Sequence, residues 1–209
     1  MEVNKYKLHW ENVFLSKAED EVSWFQPYPK TSIAFLDLFN LPLDANIIDI
    51  GGGDSHLVDV LIDRGYQNVY VLDISQNALL RAKQRLGGKA NNVHWIVSDV
   101  TDFNLDIKFD FWHDRAAFHF LVDSNKVDRY LQVADRSIRS GGFLILGTFS
   151  ENGPEKCSGL EVQRYSEASM TGRLKKHFQK IRCISEDHLT PEQKIQHFLF
   201  CSFRRKNYA

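Results

Sequence analysis

The sequence predicts an α/β fold built on a doubly wound, mostly parallel sheet of seven strands with helices on both faces. From residue 46 onward, apolar β-rich runs alternate with segments of helical periodicity, which is the pattern of such a sheet. The core strand runs are continuously apolar, as burial on both faces requires. The last two runs are joined by a short connection beginning at Leu189-Thr190-Pro191, so we expect an antiparallel hairpin at the C-terminal edge of the sheet.

The elements follow in order along the chain. The five parallel strands are expected at 47–50, 69–73, 93–97, 109–112 and 143–149. A helix at 54–64 follows the first strand, and Ser75 is the expected N-cap of the next helix, which ends at Gly87-Gly88. Later helices are expected at 124–139 and 166–178, and the hairpin strands at 180–185 and 197–204.

Length and composition indicate one domain. A chain of 209 residues can form one α/β domain with a substantial core but not two. Residues 1–45 are expected to form a helical cap or flap, and residues 46–209 the core. The net charge of −1 argues against a nucleic-acid-binding surface. No N-terminal signal pattern or ~20-residue apolar stretch is present, so we expect a cytoplasmic protein that does not contact membranes.

The cysteines favour a reducing compartment. There are three, and their spacing is not that of a disulfide framework. Cys183 and Cys201 fall in the last two strands and are expected to be buried apolar residues. No histidine and cysteine cluster has the spacing of a zinc site, so no metal is expected.

The most informative motif is an apolar strand that runs into Gly51-Gly52-Gly53 and then into a helix. Glycine allows positive φ angles there, and lets a ligand approach the backbone and its N–H groups closely. Asp73 ends the next strand and lies 22 positions after Gly51 (73 − 51), near the ~20-residue offset of an acid that binds a ribose. The pair predicts a nucleotide-cofactor site. A dinucleotide motif would have a third glycine or alanine where His56 stands, which argues against nicotinamide or flavin dinucleotides.

Asp49-Ile50-Gly51-Gly52-Gly53 resembles the first motif of the class I S-adenosylmethionine-dependent methyltransferases, and the resemblance extends from about Ile47 to the C-terminus. It implies a Rossmann-like fold, S-adenosyl-L-methionine as cofactor and S-adenosyl-L-homocysteine as product. It also implies that Asp73 binds both ribose hydroxyls and that Asp99, after the third strand, lies near the adenine. The expected cofactor-binding residues are Asp49, Gly51, Gly52, Gly53, Ser55, Asp73, Ile74, Asp99, Val100, His113 and Trp24.

The segment after the expected fourth strand begins His113-Asp114-Arg115 and has two interpretations. In one, Asp114 caps a helix and Arg115 forms a salt bridge. In the other, His113 lies beside the reactive centre as a backbone contact or proton acceptor, which makes it the candidate catalytic residue.

Asp114-Arg115-Ala116-Ala117 is similar to a stretch of the thiopurine and tellurite methyltransferases. Trp10 and Trp24-Phe25-Gln26 are similar to aromatic residues that close over the cofactor in that group, although Trp24 and Phe25 could equally be ordinary core or surface aromatics. They precede the Pro27 to Pro29 turn and are expected on a mobile flap. The segment after Gly153-Pro154 departs from the group. The candidate substrate residues are Phe25, Arg115, Phe149, Arg164 and Tyr165.

These observations lead to the hypothesis of a methyltransferase acting on a small molecule, such as a thiol or another soft nucleophile. Because the donor is already activated, such a nucleophile needs no dedicated base. Three alternatives stay open. Trp24-Phe25 is also similar to lysine methyltransferases that act on elongation factor 1A, so a protein substrate is possible. A catalytically idle cofactor-binding module and an NAD-dependent oxidoreductase are the others.

Overall fold

The computed structural model of the chain describes residues 5–207, so the first four residues of the expected cap lie outside it. The strands are β1 (Asn46–Ile50), β2 (Asn68–Asp73), β3 (Val93–Val97), β4 (Phe109–Arg115), β5 (Ile138–Phe149), β6 (Lys156–Cys157), β7 (Leu160–Glu161), β8 (Phe178–Leu189) and β9 (Ile195–Arg205). The α-helices are α1 (Lys5–Ser16), α2 (Lys30–Leu38), α3 (Leu57–Asp63), α4 (Gln76–Leu86), α5 (Ser124–Ser137) and α6 (Glu167–Leu174). Short 3-10 turns cover Glu19–Glu21, Gly87–Asn92, Val100–Asp102 and Phe118–Phe120.

Seven strands form one sheet in the order β3-β2-β1-β4-β5-β9-β8, and β6 and β7 form a separate small hairpin. The first five pair in parallel, while β9 is antiparallel to both β5 and β8. The predicted fold, including the C-terminal hairpin, is therefore confirmed. The strand order reverses between β1 and β4, and open sheets of this kind bind ligands in the crevice at that point.

Helices cover both faces of the sheet, as predicted. The apolar side chains of α2, α3 and α4 pack on one face around Ile47, Val71 and Ile145. Those of α5 and α6 pack on the other around Ile48, Trp112 and Leu144. Neighbouring residues of one strand thus belong to different clusters, which explains why the strand sequences are continuously apolar. None of the helices within residues 5–207 is long and apolar enough to cross a membrane.

Several predicted boundaries shift. β4 extends to Arg115, so His113 and Asp114 lie in the strand and not in the loop after it. α3 begins at Leu57 and not at Asp54. The hairpin of β6 and β7 was not predicted, since strands of two residues leave no periodic signal.

The expectation for two of the cysteines was wrong. Cys183 and Cys201 occupy facing positions of β8 and β9, with Cα atoms 4.1 Å apart, and are joined by a disulfide. Eighteen residues separate them in sequence, so cysteine spacing alone could not have shown that the hairpin register places them opposite each other. Cys157 is free and buried.

Candidate functional site

The three glycines form a turn whose backbone leaves no space for side chains. A Cβ on Gly51 would lie 2.5 Å from the Cβ of Ala117, and one on Gly52 would lie 2.8 Å from Oδ2 of Asp49. One on Gly53 would lie 3.2 Å from Oδ2 of Asp73. The turn therefore brings its bare backbone to the carboxyl ends of β1, β2 and β4, where the crevice lies.

Carboxylates surround this turn. Asp73, at the end of β2, is 6% exposed and accepts a 2.8 Å hydrogen bond from the backbone amide of Ser75. Burial raises the pKa of Asp73 to about 7, and the neighbouring Asp54 carboxylate adds to that effect. Burial also raises the pKa of Asp54, although Arg81 forms an ion pair with it at 3.1 Å. A ligand with hydroxyl or positively charged groups would stabilise this cluster.

Asp99 stands after β3, on the same edge of the sheet. Its Oδ1 accepts hydrogen bonds from the backbone amide and the hydroxyl of Thr101, at 2.9 and 2.8 Å. These bonds fix the start of the 3-10 turn Val100–Asp102, so Asp99 and Val100 are held in place beside the ends of β2 and β3.

Two cavities meet at this edge. The outer cavity is lined by Asp73, Ile74, Asp99 and Val100, together with Trp10, Ala116, Phe120 and Cys157. The inner cavity is lined by Asp49, Gly52, Gly53, Ser55 and His113, together with Ser32 and Phe25. Phe14, Trp24, Gly51 and Arg115 line both. Every cofactor-binding residue expected from the sequence lines at least one of the two cavities.

The N-terminal helix α1 covers the outer cavity. Tyr6, Trp10 and Phe14 recur at intervals of four residues and therefore share one face of α1, which lines the cavity. The ring of Trp10 lies 5.0 Å from that of Phe120 and 5.7 Å from that of Trp24, both edge to face. These aromatic pairs join α1 to the β4 edge and close the cavity from above.

Polar contacts fix the middle and the C-terminal end of α1 to α4. The carboxylate of Glu11 accepts hydrogen bonds from the Ser75 hydroxyl at 2.7 Å and from the backbone amides of Gln76 and Asn77 at 2.9 and 3.0 Å. Burial raises the pKa of Glu11, but these bonds outweigh that effect and leave the pKa lowered. Arg81 donates to the carbonyls of Phe14 and Lys17. The helix that covers the cavity is thus fastened beside Asp73.

The segment predicted to be a mobile flap is tied down by side chains from other elements. The carbonyl of Trp24 accepts a 2.9 Å hydrogen bond from Arg115, and that of Ser23 lies 2.8 Å from Nε2 of His188. Glu19 pairs with His56 at 2.5 Å and with Arg85 at 2.8 Å. Trp24 is therefore held at the junction of the two cavities.

Arg115 is the cation at that junction. Its guanidinium lies 4.9 Å from the centre of the Phe198 ring, and burial lowers its pKa to about 10. Nη1 donates to Trp24, but within the described part of the chain Nε and Nη2 have no hydrogen-bond partner. Arg115 forms no salt bridge there, contrary to one of the two interpretations of this segment. The Glu186 carboxylate acts on Arg115 through space and opposes this lowering of the pKa, without forming a salt bridge to it.

His113 is fixed on both sides. Nδ1 lies 2.7 Å from Oδ1 of Asp49, and Nε2 lies 2.8 Å from the hydroxyl of Ser32. All three residues are buried. These two hydrogen bonds hold His113 in the wall of the inner cavity. Its role as a proton acceptor stays a prediction.

Asp114 organises the turn after β4. Its Oδ1 accepts the backbone amides of Ala117 and Phe118, both at 3.0 Å, and its Oδ2 accepts the hydroxyl of Tyr130 at 2.8 Å. Asp114 thus caps this turn, as one interpretation of the sequence held. The turn includes Ala116 at φ 66° and places Ala117 against Gly51. It therefore forms a wall of the outer cavity.

The candidate substrate residues divide into two groups. Arg115 and Phe25 line the cavities, whereas Phe149 is buried in the core cluster around Val71. Arg164 donates to the carbonyls of Glu151 and Gly153 and pairs with Glu155, so the structure does not bring it to this site. Tyr165 lines a third cavity, on the other side of Leu121.

Sequence reasoning named Trp10 from the resemblance but missed several other residues of the site. The spacing of Tyr6 and Phe14 from Trp10 is a helical signal that could have identified the covering face. No local signal marks Glu11, Ser32 or Cys157, because their roles depend on contacts between distant elements. Within residues 5–207 there is no group of three potential metal-ligating side chains.

The family model and the two curated proteins compared with the chain below are all described as methyltransferases. Residues 47–142 match the family model described as "Methyltransferase domain". The chain is 26% identical over 141 residues to an eEF1A lysine and N-terminal methyltransferase of Mus musculus, covering 64% of this chain and 20% of that protein. It is 25% identical over 108 residues to a malonyl-acyl-carrier-protein O-methyltransferase of Ilyobacter polytropus, covering 51% and 40%. The chain thus spans less than half the length of these relatives.

Solved structures share the fold at low sequence identity. A structure from a study of the conversion of a disulfide bond into a thioacetal group during echinomycin biosynthesis aligns with a TM-score of 0.78 at 16% identity, covering 96% of this chain and 93% of that one. The N-methyltransferase NodS from Bradyrhizobium japonicum, in complex with S-adenosyl-L-homocysteine, aligns with a TM-score of 0.70 at 16% identity, covering 96% and 99%.

The raised pKa of Asp73 predicts how stability depends on pH. Between about pH 4 and 7 the folded protein retains a proton that the unfolded chain releases, so this contribution to stability is present below pH 4 and is lost as the pH rises through 7. Asp73→Asn removes the titration. Denaturant unfolding from pH 4 to 8 should show the wild type losing stability relative to Asp73→Asn as the pH rises. The free energy of unfolding should fall by up to about 1.4 kcal/mol for each pH unit between about pH 4 and 7. A difference that does not change with pH would contradict the assignment.

Proposed function

We propose that this chain, which carries the methyltransferase domain and the fold of the class I S-adenosylmethionine-dependent methyltransferases, transfers a methyl group to a small anionic or soft nucleophile. S-adenosyl-L-methionine is its cofactor. The observation that carries the proposal is the junction of two cavities at Gly51, Trp24 and Arg115. The outer cavity offers carboxylates at the ends of β2 and β3, and the inner cavity offers the bare backbone of the glycine turn.

The residues present fit this cofactor. Asp73 would accept hydrogen bonds from the ribose hydroxyls, and Asp99 and Val100 would border the adenine. The inner cavity has the backbone of Gly51 to Gly53 for the methionine end. The sulfur would then lie near Trp24 at the junction, where a cation beside an aromatic face gains ~0.5 to 2 kcal/mol.

The bound cofactor supplies a methyl group on a positively charged sulfur, and in the transfer the nucleophile forms a bond to that carbon while the electron pair of the broken C–S bond stays on the sulfur. The protein must align the nucleophile and exclude water. The aromatic face of α1, which lines the outer cavity, would exclude water from the bound cofactor. Arg115 would hold an anionic nucleophile at the junction and lower the free energy of its charged form.

A thiolate suits this environment better than a protonated amine. Asp49 occupies Nδ1 of His113 and the Ser32 hydroxyl occupies Nε2, so an acceptor that must lose a proton would have to displace Ser32 to reach His113. His119 accepts at Nδ1 from the Phe149 amide, so in its neutral form its proton is on Nε2. Burial lowers the pKa of His119 to about 3, which keeps it neutral. A thiolate attacks with its own lone pair, so it needs neither His113 nor His119 as a base.

A protein lysine is the second candidate acceptor, because the relatives include eEF1A lysine methyltransferases. The Arg115 guanidinium at the junction would oppose entry of a lysine as its charged ammonium, and it would also lower the pKa of that lysine towards the neutral amine that attacks. The lysine acceptor is therefore separated from the thiol by experiment. We also propose that the chain is similar in function to the thiopurine and tellurite methyltransferases, which agrees with a small, soft nucleophile. Cytoplasmic localisation stays a prediction.

Titration with S-adenosyl-L-homocysteine should show saturable binding to the wild-type chain and none of comparable affinity with NADH. Asp73→Ala should weaken binding by ~1.5 to 3 kcal/mol, because a charged acceptor of hydrogen bonds is lost. Asp106→Ala, which removes an exposed carboxylate elsewhere, is the matched control. Unchanged affinity in Asp73→Ala, or NADH binding in place of S-adenosyl-L-homocysteine, would contradict the cofactor assignment.

Methyl transfer from isotope-labelled S-adenosyl-L-methionine should label thiols in a small-molecule panel. Arg115→Met should lower kcat/KM for a thiol by roughly 10- to 100-fold, the equivalent of a lost charge-assisted contact, with cofactor affinity largely retained. Arg115→Lys keeps the charge and should lose less. Label confined to a protein band in a cell extract would favour the lysine acceptor, and no label in any fraction would favour the idle cofactor-binding module.

A further inference from the structure

A third cavity of about 420 Å³ lies between the N-terminal end of α5 and one side of α6. We call it the lateral cavity. Its lining includes Leu121, Val122, Ser124, Gln163, Tyr165 and Arg173. Leu121 also lines the outer cavity, so the same side chain borders both spaces. Nothing in the function described so far uses this space.

The wall between the two cavities is built by the turn after β4. Asp114 fixes Ala117 and Phe118, and the amide of Leu121 donates to the carbonyl of Phe118 at 3.1 Å. Val122 follows, and its side chain is among the exposed large hydrophobic groups. The wall therefore ends in an apolar, solvent-exposed rim, over which a molecule can reach from one cavity to the other.

The lateral cavity is lined by hydrogen-bond donors and by one cation. Among the described residues that line it, Arg173 is the charged one, and no carboxylate faces the space. Arg173 donates to the Ser124 hydroxyl at 2.8 Å and lies 3.6 Å from Asp128, which is not part of the lining. Burial raises the pKa of Tyr165 to about 12, so its hydroxyl keeps its proton. This chemistry suits a carboxylate or another anionic group.

We propose that the lateral cavity binds the anionic distal end of the methyl acceptor, whose nucleophile reaches the cavity junction across Leu121. The inference rests on the proposed methyl transfer and narrows its substrate class to two-part acceptors, with an aromatic or apolar body and an anionic tail. The acceptor's nucleophilic atom gains the methyl group, and the tail takes no part in the bond changes.

Gly172 provides a direct test. A Cβ there meets nothing within 4 Å, and Gly172 lines the lateral cavity, so we expect the side chain of Gly172→Phe to occupy part of that space. Gly88→Phe is the matched control, because Gly88 is equally open but lies in the 3-10 turn before β3. The probe is 3-(4-methylsulfanylphenyl)propanoate, a methylated product analogue, and its neutral propanamide is the comparison. Both are titrated into the full chain saturated with S-adenosyl-L-homocysteine.

The wild type and Gly88→Phe should bind the propanoate at least about tenfold more tightly than the propanamide, the difference expected for one charge-assisted contact. Gly172→Phe and Arg173→Met should lose that preference while keeping their affinity for S-adenosyl-L-homocysteine. Equal binding of the two probes in the wild type, no binding of either, or an undiminished preference in both variants would overturn the inference. If the wild-type chain does not bind S-adenosyl-L-homocysteine at all, the proposed function itself fails.

Discussion

The steric constraint at the Gly51-Gly52-Gly53 turn is the feature on which the rest of the site depends. A side chain at any of the three glycines would enter space that another element occupies. Ala117, after β4, lies against Gly51, and Asp49 of β1 lies against Gly52. Asp73 of β2 and Phe14 of α1 lie against Gly53. The turn therefore sets how closely these elements approach. It also leaves the backbone bare at the place where the strand order reverses, which is where an open parallel sheet binds its ligand.

Electrostatics add a second constraint. Asp49, Asp54 and Asp73 are all buried around the turn, and an uncompensated charge in such a place lowers stability. Asp49 shares a hydrogen bond with His113, and Asp54 is paired with Arg81, whereas Asp73 has only backbone amides. A ligand that carries hydroxyl groups and positive charge would relieve this arrangement. At the junction, Arg115 is a buried cation, two of whose nitrogens have no hydrogen-bond partner among residues 5–207, which favours an anionic acceptor.

The fold could be predicted because its signals are local. Continuous apolar strands, the glycine turn and an acid at the end of the next strand are short patterns with direct physical meaning. The residues expected to bind the cofactor, several of them from the family resemblance alone, line the two cavities, and their roles stay predictions. The covering helix was accessible in principle from the spacing of Trp10 and Phe14. The disulfide, the anchoring by Glu11 and the chain Ser32-His113-Asp49 were not, because each joins residues from different elements. The same holds for Arg164 and Tyr165, whose adjacency in sequence says nothing about the different directions that their contacts take.

Amide hydrogen exchange with and without S-adenosyl-L-homocysteine tests the account most directly, because it reports on each part of the site at once. The account predicts that one ligand slows exchange in three separate segments: α1, the glycine turn at 51–55, and residues 98–100 after β3. Protection of all three would place the ligand across both cavities and beneath the covering helix. No protection, or protection confined to segments away from the carboxyl edge of the sheet, would contradict it.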